Sequence, residues 1–267
     1  MMDISTLIQT ILLGAVEGIT EFLPVSSTGH LILLIDILGF KSPPGKTFEV
    51  IIQLGAILAV CWLYRARLWR MLRHFHDDSH ARHFVFALVI AFIPSGIVGA
   101  TLHSYIKSVL FSPLVVCVML VVGGVLILVI ERYKPTPRIA SVDDISLRRA
   151  FLIGCFQCLS VVPGTSRSAA TIMGSLLLGL ERKAAAEFSF FLAIPTMLGA
   201  TAYDTYKNYH QMTWDGAGII ALGFVCAFVA AMLSVKLLVG YISRHGFAPF
   251  AAYRIILGGL MLAYFLV

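Results

Sequence analysis

Two apolar stretches of this chain, residues 5–39 and 150–180, are each too long for one membrane-spanning helix and too short for two. A helix needs about 20 apolar residues to cross a bilayer core. Each stretch is interrupted near its middle by proline, glycine and hydroxyl residues. That pattern predicts a pair of half-helices that enter and leave on the same side. Broken backbone at membrane depth is tolerated only where protein buries it or where it lines a wet cavity. Uninterrupted apolar runs lie at 47–64, 84–103, 111–131, 186–203, 214–240 and 248–267, and each reads as a full span. With 59% hydrophobic and 13% charged residues, against about 45–50% and about 25% in soluble domains, a soluble core is excluded. The expected fold class is an all-α polytopic membrane protein, with about six transmembrane helices and two re-entrant helical hairpins.

The net charge of +6 could suggest nucleic acid, but its placement argues against it. Five arginines fall between Arg65 and Arg82, and five more Lys/Arg between Arg132 and Arg149. Both clusters flank apolar runs, which is the positive-inside pattern of a membrane protein, and no nucleic-acid partner is expected. Loops 65–83 and 132–149 are then cytoplasmic, the first hairpin enters from outside and the second from inside. No Lys or Arg precedes Lys41, so the basic n-region of a cleaved signal peptide is missing. All five cysteines sit in apolar segments and read as buried small side chains, including the Cys155-Phe-Gln-Cys158 pair.

The halves resemble each other. Gly14–Thr20 (GAVEGIT) aligns with Gly154–Ser160 (GCFQCLS), placing Glu17 opposite Gln157. Leu23–Ser27 (LPVSS) meets Val162–Ser166 (VPGTS). Each half offers one broken hairpin and three spans, so the halves lie in opposite orientations, as in inverted-topology repeats with a site at the midplane. The expectation is a single membrane domain, 1–267, with halves of about 1–131 and 150–267 joined by the basic loop 132–149.

Chemistry concentrates at the two breaks. Glu17 and Glu21 share one helix face, and Pro24 ends that helix. Ser26 or Ser27 can cap the next half-helix, with Thr28 and His30 on its first turn. In Pro163–Thr171 (PGTSRSAAT), Thr165 or Ser166 can cap, and Arg167 follows. A cation at a helix N-terminus opposes the macrodipole and is costly inside a membrane; a bound anion relieves both. Two helix N-termini, several hydroxyls and an arginine suit a phosphate. The glutamates would repel it unless they hold protons or a divalent cation, Mg²⁺ or Ca²⁺. A structural reading stays open, in which Arg167 merely pairs with Glu17 or Glu21 to join the hairpins. Glu49 and Gln53 are offered as supporting groups at the same cavity, and Arg254 as a snorkelling side chain.

These segments (EGITEFLPVSSTGH, TFEVIIQLGAILAV and PGTSRSAAT) resemble the signature regions of the undecaprenyl-diphosphatase, or bacitracin-resistance, family, and the likeness extends to the closing PFAAYR. The resemblance implies a multi-pass bacterial inner-membrane phosphatase. Its members convert undecaprenyl diphosphate to the monophosphate that carries peptidoglycan and other wall polymers. Bacitracin acts on that substrate, and a divalent cation is implied. On this view Ser27, His30, Glu21, Glu17 and Arg167 are catalytic, with Ser27 as nucleophile and His30 or Glu21 as its base. Attack by water or by His30 itself stays open. Ser26, Thr28, Gly164, Thr165, Ser166, Arg167, Ser168 and Thr171 would bind the diphosphate, and Glu17 and Glu21 the metal. The cavity is expected to open to the periplasmic face. Nothing marks a dimer face, so a homo-oligomer stays open. Because broken helices in inverted repeats also build carriers, a lipid-phosphate transporter or flippase is the competing function.

Overall fold

The computed structural model describes residues 3–43, 47–110, 112–208 and 216–266, and within them the chain is helical apart from turns, loops and a single parallel bridge between Ile139 and Leu180. The helices are α1 (Ile4–Thr20), α2 (Ser27–Leu38), α3 (Thr47–Leu63), α4 (Arg65–Arg73), α5 (Ser79–Val109), α6 (Pro113–Tyr133), α7 (Leu147–Gln157), α8 (Arg167–Leu177), α9 (Arg182–Asn208), α10 (Ala217–His245) and α11 (Ala248–Leu266). Among the described residues, α5, α6, α9, α10 and α11 are long and apolar enough to cross a membrane, and α3 with α4 adds a sixth if that pair, bent by 73°, is one span. The chain is thus an all-α polytopic membrane protein. The expected spans are all present as helices, although their ends at 111, 214–215 and 267 lie outside the described residues. One expectation is corrected: the arginine-rich segment after residue 64 is not all loop. Its first nine residues form α4, which turns off the end of α3 with Trp69 and Leu72 exposed.

The broken stretches fold as pairs of short helices, α1/α2 and α7/α8. Gln9 near the start of α1 donates to Leu38 O at the end of α2 (3.3 Å), so the first hairpin leaves on the face it entered. At the second hairpin, Arg138 and Ile139, which precede α7, donate to Gly179 O just beyond α8 (2.8 and 3.1 Å). This second pair of ends lies with the basic loops, which meet through Arg67–Asp143 (2.5 Å) and His83 Nε2–Ile145 O (2.9 Å). The first pair of ends lies at the opposite end of α3. The two hairpins therefore reach the centre from opposite faces.

Small residues let these helices approach, as expected where lipid removes the hydrophobic drive for association. A Cβ added at Gly14 would sit 2.5 Å from Gly223 O, and one at Gly18 would run into Ala227 O, both on α10. On the other side, one at Gly154 of α7 would run into Ala91 O of α5. The packing is reciprocal: α1 lies on α10 as α7 lies on α5, α3 lies on α10 as α9 lies on α5, and α6 pairs with α11. The aromatic core behind the breaks is built from Phe22, Phe190, Phe191 and Phe84, with Phe22 and Phe190 edge-to-face at 5.5 Å. The cysteines fit their expected role only in part. Cys117 is buried, Cys61, Cys158 and Cys226 are half-buried, and Cys155 is exposed on the outer side of α7.

Candidate active site

Both breaks end in the same local device. The first residue before each second half-helix is a serine with positive φ: Ser26 (φ 71°) before α2 and Ser166 (φ 77°) before α8. Among the described residues these are the non-glycine positions in that region of backbone space, which costs on the order of 1–3 kcal/mol each and persists only when the surroundings impose it. Here the cap imposes it. Ser26 Oγ accepts from Gly29 N (3.3 Å) and Ser166 Oγ from Ala169 N (3.1 Å). The caps shift the repeat alignment by one residue at this point: Ser26 matches Ser166, so Ser27 and Arg167 occupy the same first helical position in their hairpins. Gly164 has φ 92°, and a Cβ there would also lie 2.7 Å from Val116 O. Only glycine fits that turn.

Ser27 and Arg167 meet on Glu21, which follows the end of α1. Ser27 Oγ donates to Glu21 Oε2, and Arg167 Nη2 pairs with Glu21 Oε1 at 3.2 Å. Arg167 is steadied from behind: Nη1 donates to Ser189 O (2.8 Å), and the guanidinium lies 5.8 Å from the centre of the Phe22 ring. A cavity of about 210 Å³ opens over this group, lined by Glu21, Ser26, Ser27, Thr28, Gln53, Gly164, Ser166 and Arg167, with Ser160 and Thr196 on its far wall. Two helix N-termini, six hydroxyl side chains and a fixed guanidinium thus line one small cavity, which suits a multiply charged anion.

The remaining expected residues fall around this centre. Glu17 is fully buried one turn before Glu21 and does not line the cavity; its charged neighbours are Glu21 and Arg167, and both its carboxylate oxygens lack a hydrogen-bond donor. His30 is turned away from Ser27. Its Nδ1 donates to Ser26 O (2.7 Å), which leaves Nε2 to accept from Tyr253 Oη (2.7 Å), and the two rings stack at 5.6 Å. Of the two bases expected for Ser27, the structure brings only Glu21 to it. Ser168 donates to Leu23 O (2.7 Å), tying the second hairpin to the first, and Thr171 bonds Ser189 Oγ (2.7 Å), tying α8 to α9; contrary to expectation, neither lines the cavity. Thr165 is next to the cap, its hydroxyl buried without a partner. Glu49 is a correction: it accepts from Ser42 Oγ (2.8 Å) near the loop, whereas Gln53, one turn on, reaches the cavity.

Arg254 is the second correction. Rather than snorkel, it is fully buried. It donates to Pro24 O (3.2 Å), Gly164 O (2.8 Å) and Met119 O (3.1 Å), tying both breaks together from α11. Its place in an apolar span was the available signal, because a buried arginine must find acceptors. Gln157, the counterpart of Glu17, is also fully buried and donates to Ser95 Oγ (2.5 Å) and Thr196 Oγ1 (3.1 Å).

Residues 10–260 match the family described as bacitracin resistance protein BacA. The chain belongs to that family. Similar proteins include undecaprenyl-diphosphatase 2 of Paramagnetospirillum magneticum, 57% identical over 96% of this chain and 97% of that protein. Undecaprenyl-diphosphatase of Parvibaculum lavamentivorans is 54% identical over 97% and 96%, and that of Caulobacter vibrioides is 51% identical over 95% and 96%.

Proposed function

We propose that this chain is an undecaprenyl-diphosphate phosphatase, releasing phosphate and the undecaprenyl monophosphate that carries wall-polymer units. The observation that carries the reading is the chain Ser27–Glu21–Arg167, which links the two helix N-termini under one polar cavity. The names of relatives that align over nearly the whole chain support it.

The terminal phosphate sits in the cavity with its charge on Arg167 and on the N–H groups that open α2 and α8. These donors are fixed before substrate arrives, so they stabilise developing charge without reorganising. Ser27 Oγ attacks phosphorus in line with the bridging oxygen while Glu21 takes its proton. The bridging P–O bond breaks, and undecaprenyl phosphate leaves carrying the proton from Glu21 on its former bridging oxygen. Water then cleaves the phosphoserine, with Glu21 as the base, and frees phosphate. Tyr253 and His30 hold the α2 N-terminus in place through Ser26 O.

Glu17 bears on the expected divalent cation. A buried carboxylate without a donor is costly and calls for a proton or a metal. Among the described residues there is no group of three or more His, Cys, Asp or Glu able to hold a metal by itself. One or two carboxylates completed by phosphate oxygens are, however, a usual Mg²⁺ arrangement. Glu21, which lines the cavity, would be a ligand of such an ion, whereas Glu17 lies buried one turn behind it, outside the space the phosphates would occupy; the ion would offset the charge gathered on the phosphates.

The halves are read as an inverted repeat, supported by the opposed hairpins and the reciprocal packing. The basic face is read as cytoplasmic, so the cavity opens toward the periplasm of the inner membrane. In a cysteine-free background, single cysteines at Lys41 and at Arg138 should label with an impermeant reagent from opposite faces. Labelling of both from one face would overturn the arrangement.

The deciding experiment is phosphate release from undecaprenyl diphosphate by purified protein in detergent, with and without EDTA. Release that EDTA suppresses and Mg²⁺ restores is expected. Folded protein that releases none would favour the carrier alternative, because a flippase has no reason to cleave its cargo.

A further inference from the structure

α5 and α9 repeat a short pattern: Ile93-Pro94-Ser95 and Ile194-Pro195-Thr196, each followed within a turn and a half by Gly-Ala-Thr. An interior proline removes one helix hydrogen bond and bends the helix. Gln157 bonds the hydroxyls just after both prolines, Ser95 and Thr196, and so joins the two helices at that level. Beyond it, away from the basic face, the helices part. A second cavity of about 610 Å³ lies between them, walled largely by apolar or small residues such as Phe92, Ile97, Gly99, Gly199 and Ala200. Tyr203 Oη closes its far end by donating to Ala100 O (3.4 Å). The volume falls inside the usual range for ligand pockets, roughly 300–1,000 Å³.

This groove shares a wall with the polar cavity. Ser160, Val161, Thr196 and Ala200 line both. A molecule with its diphosphate on Arg167 and Ser27 therefore has an apolar groove next to its headgroup. We propose that the α5/α9 groove is the binding site for the isoprene units next to the diphosphate. It makes the enzyme selective for polyprenyl over short or soluble diphosphates. This rests on the phosphatase reading above. Apolar tail surface buried in the groove supplies binding energy remote from the reacting phosphorus, and such energy helps to hold the headgroup in register.

Gly99 provides the test. A Cβ placed there meets no atom within 4 Å, so leucine fills the groove without striking backbone. In wild-type protein kcat/KM should rise with the number of isoprene units and then level off. Gly99→Leu should lower it about tenfold for long chains while leaving isopentenyl diphosphate unchanged. An unaltered chain-length profile, or an equal loss on all substrates, would overturn the groove. Independently of turnover, a polyprenyl diphosphate with a diazirine in its second isoprene unit should photolabel α5 and α9 near Ile97 and Ala200. Labelling confined to other helices, or abolished equally by phosphatidylglycerol, would overturn the proposal. Labelling in the groove by protein that releases no phosphate would leave the groove standing and remove the phosphatase reading instead.

Discussion

Arg167→Ala will lower phosphate release by about a thousandfold or more, the scale on which an arginine acts in phosphoryl transfer, while the protein stays monodisperse in detergent. The guanidinium is the fixed cation over the cavity, held by Ser189 O at 2.8 Å and by Glu21 at 3.2 Å. Removing it strips the terminal phosphate of its charge partner. It also leaves Glu21 buried and unpaired, and breaking such a pair typically costs about 3–5 kcal/mol. Thermal unfolding must therefore be followed beside activity. Arg167→Lys separates the two effects. Lysine retains the charge but not the planar fork, so it should recover stability more fully than turnover. Ordinary activity in the alanine variant would refute the anion site, and the Ser27–Glu21–Arg167 chain would become a structural clasp.

Ser27→Ala is the second large effect. If Ser27 Oγ is the nucleophile, its loss removes the covalent step, and residual release should be about 10³-fold below wild type or lower. The substitution keeps the α2 cap, because Ser26 rather than Ser27 accepts from Gly29 N. Stability should thus change little beyond one lost hydrogen bond to Glu21, about 0.5–3 kcal/mol. Trapping of a phosphoserine in acid-quenched wild-type protein would complete the case. A variant retaining a tenth of the rate would transfer the attack to water, with Glu21 as its base.

Much of this arrangement is legible in the sequence because it rests on local rules. Pro24 and Pro163 cannot continue a helix, serines follow them, and the structure stops α1 before residue 21 and restarts it at Ser27. Arg167 is conspicuous because nothing else explains a cation in that setting. What escaped was set by distant partners. The His30 ring direction depends on Tyr253, far along the chain in α11. Arg254 looks interfacial until the fold brings Pro24 O and Gly164 O to it. The one-residue shift between hairpins escaped because identity there is weak, whereas the backbone at Ser26 and Ser166 defines the match. α4 was hidden because four arginines in nine residues read as loop, although Trp69 and Leu72 give it a second face.

The clamp at the centre bears on how this molecule can move. Carriers built from opposed repeats work by rocking one half against the other, and the hinge must open where the broken helices meet. Here that seam is crossed by Ser168 to Leu23 O, Arg167 to Glu21, and the Arg254 guanidinium, which holds Pro24 O and Gly164 O at once. Hydrogen bonds to charged groups contribute about 1.5–3 kcal/mol each, so parting the halves would break several of them together in a place water reaches poorly. Phosphate release asks for no such parting, and these bonds hold the two hairpins in register about the cavity.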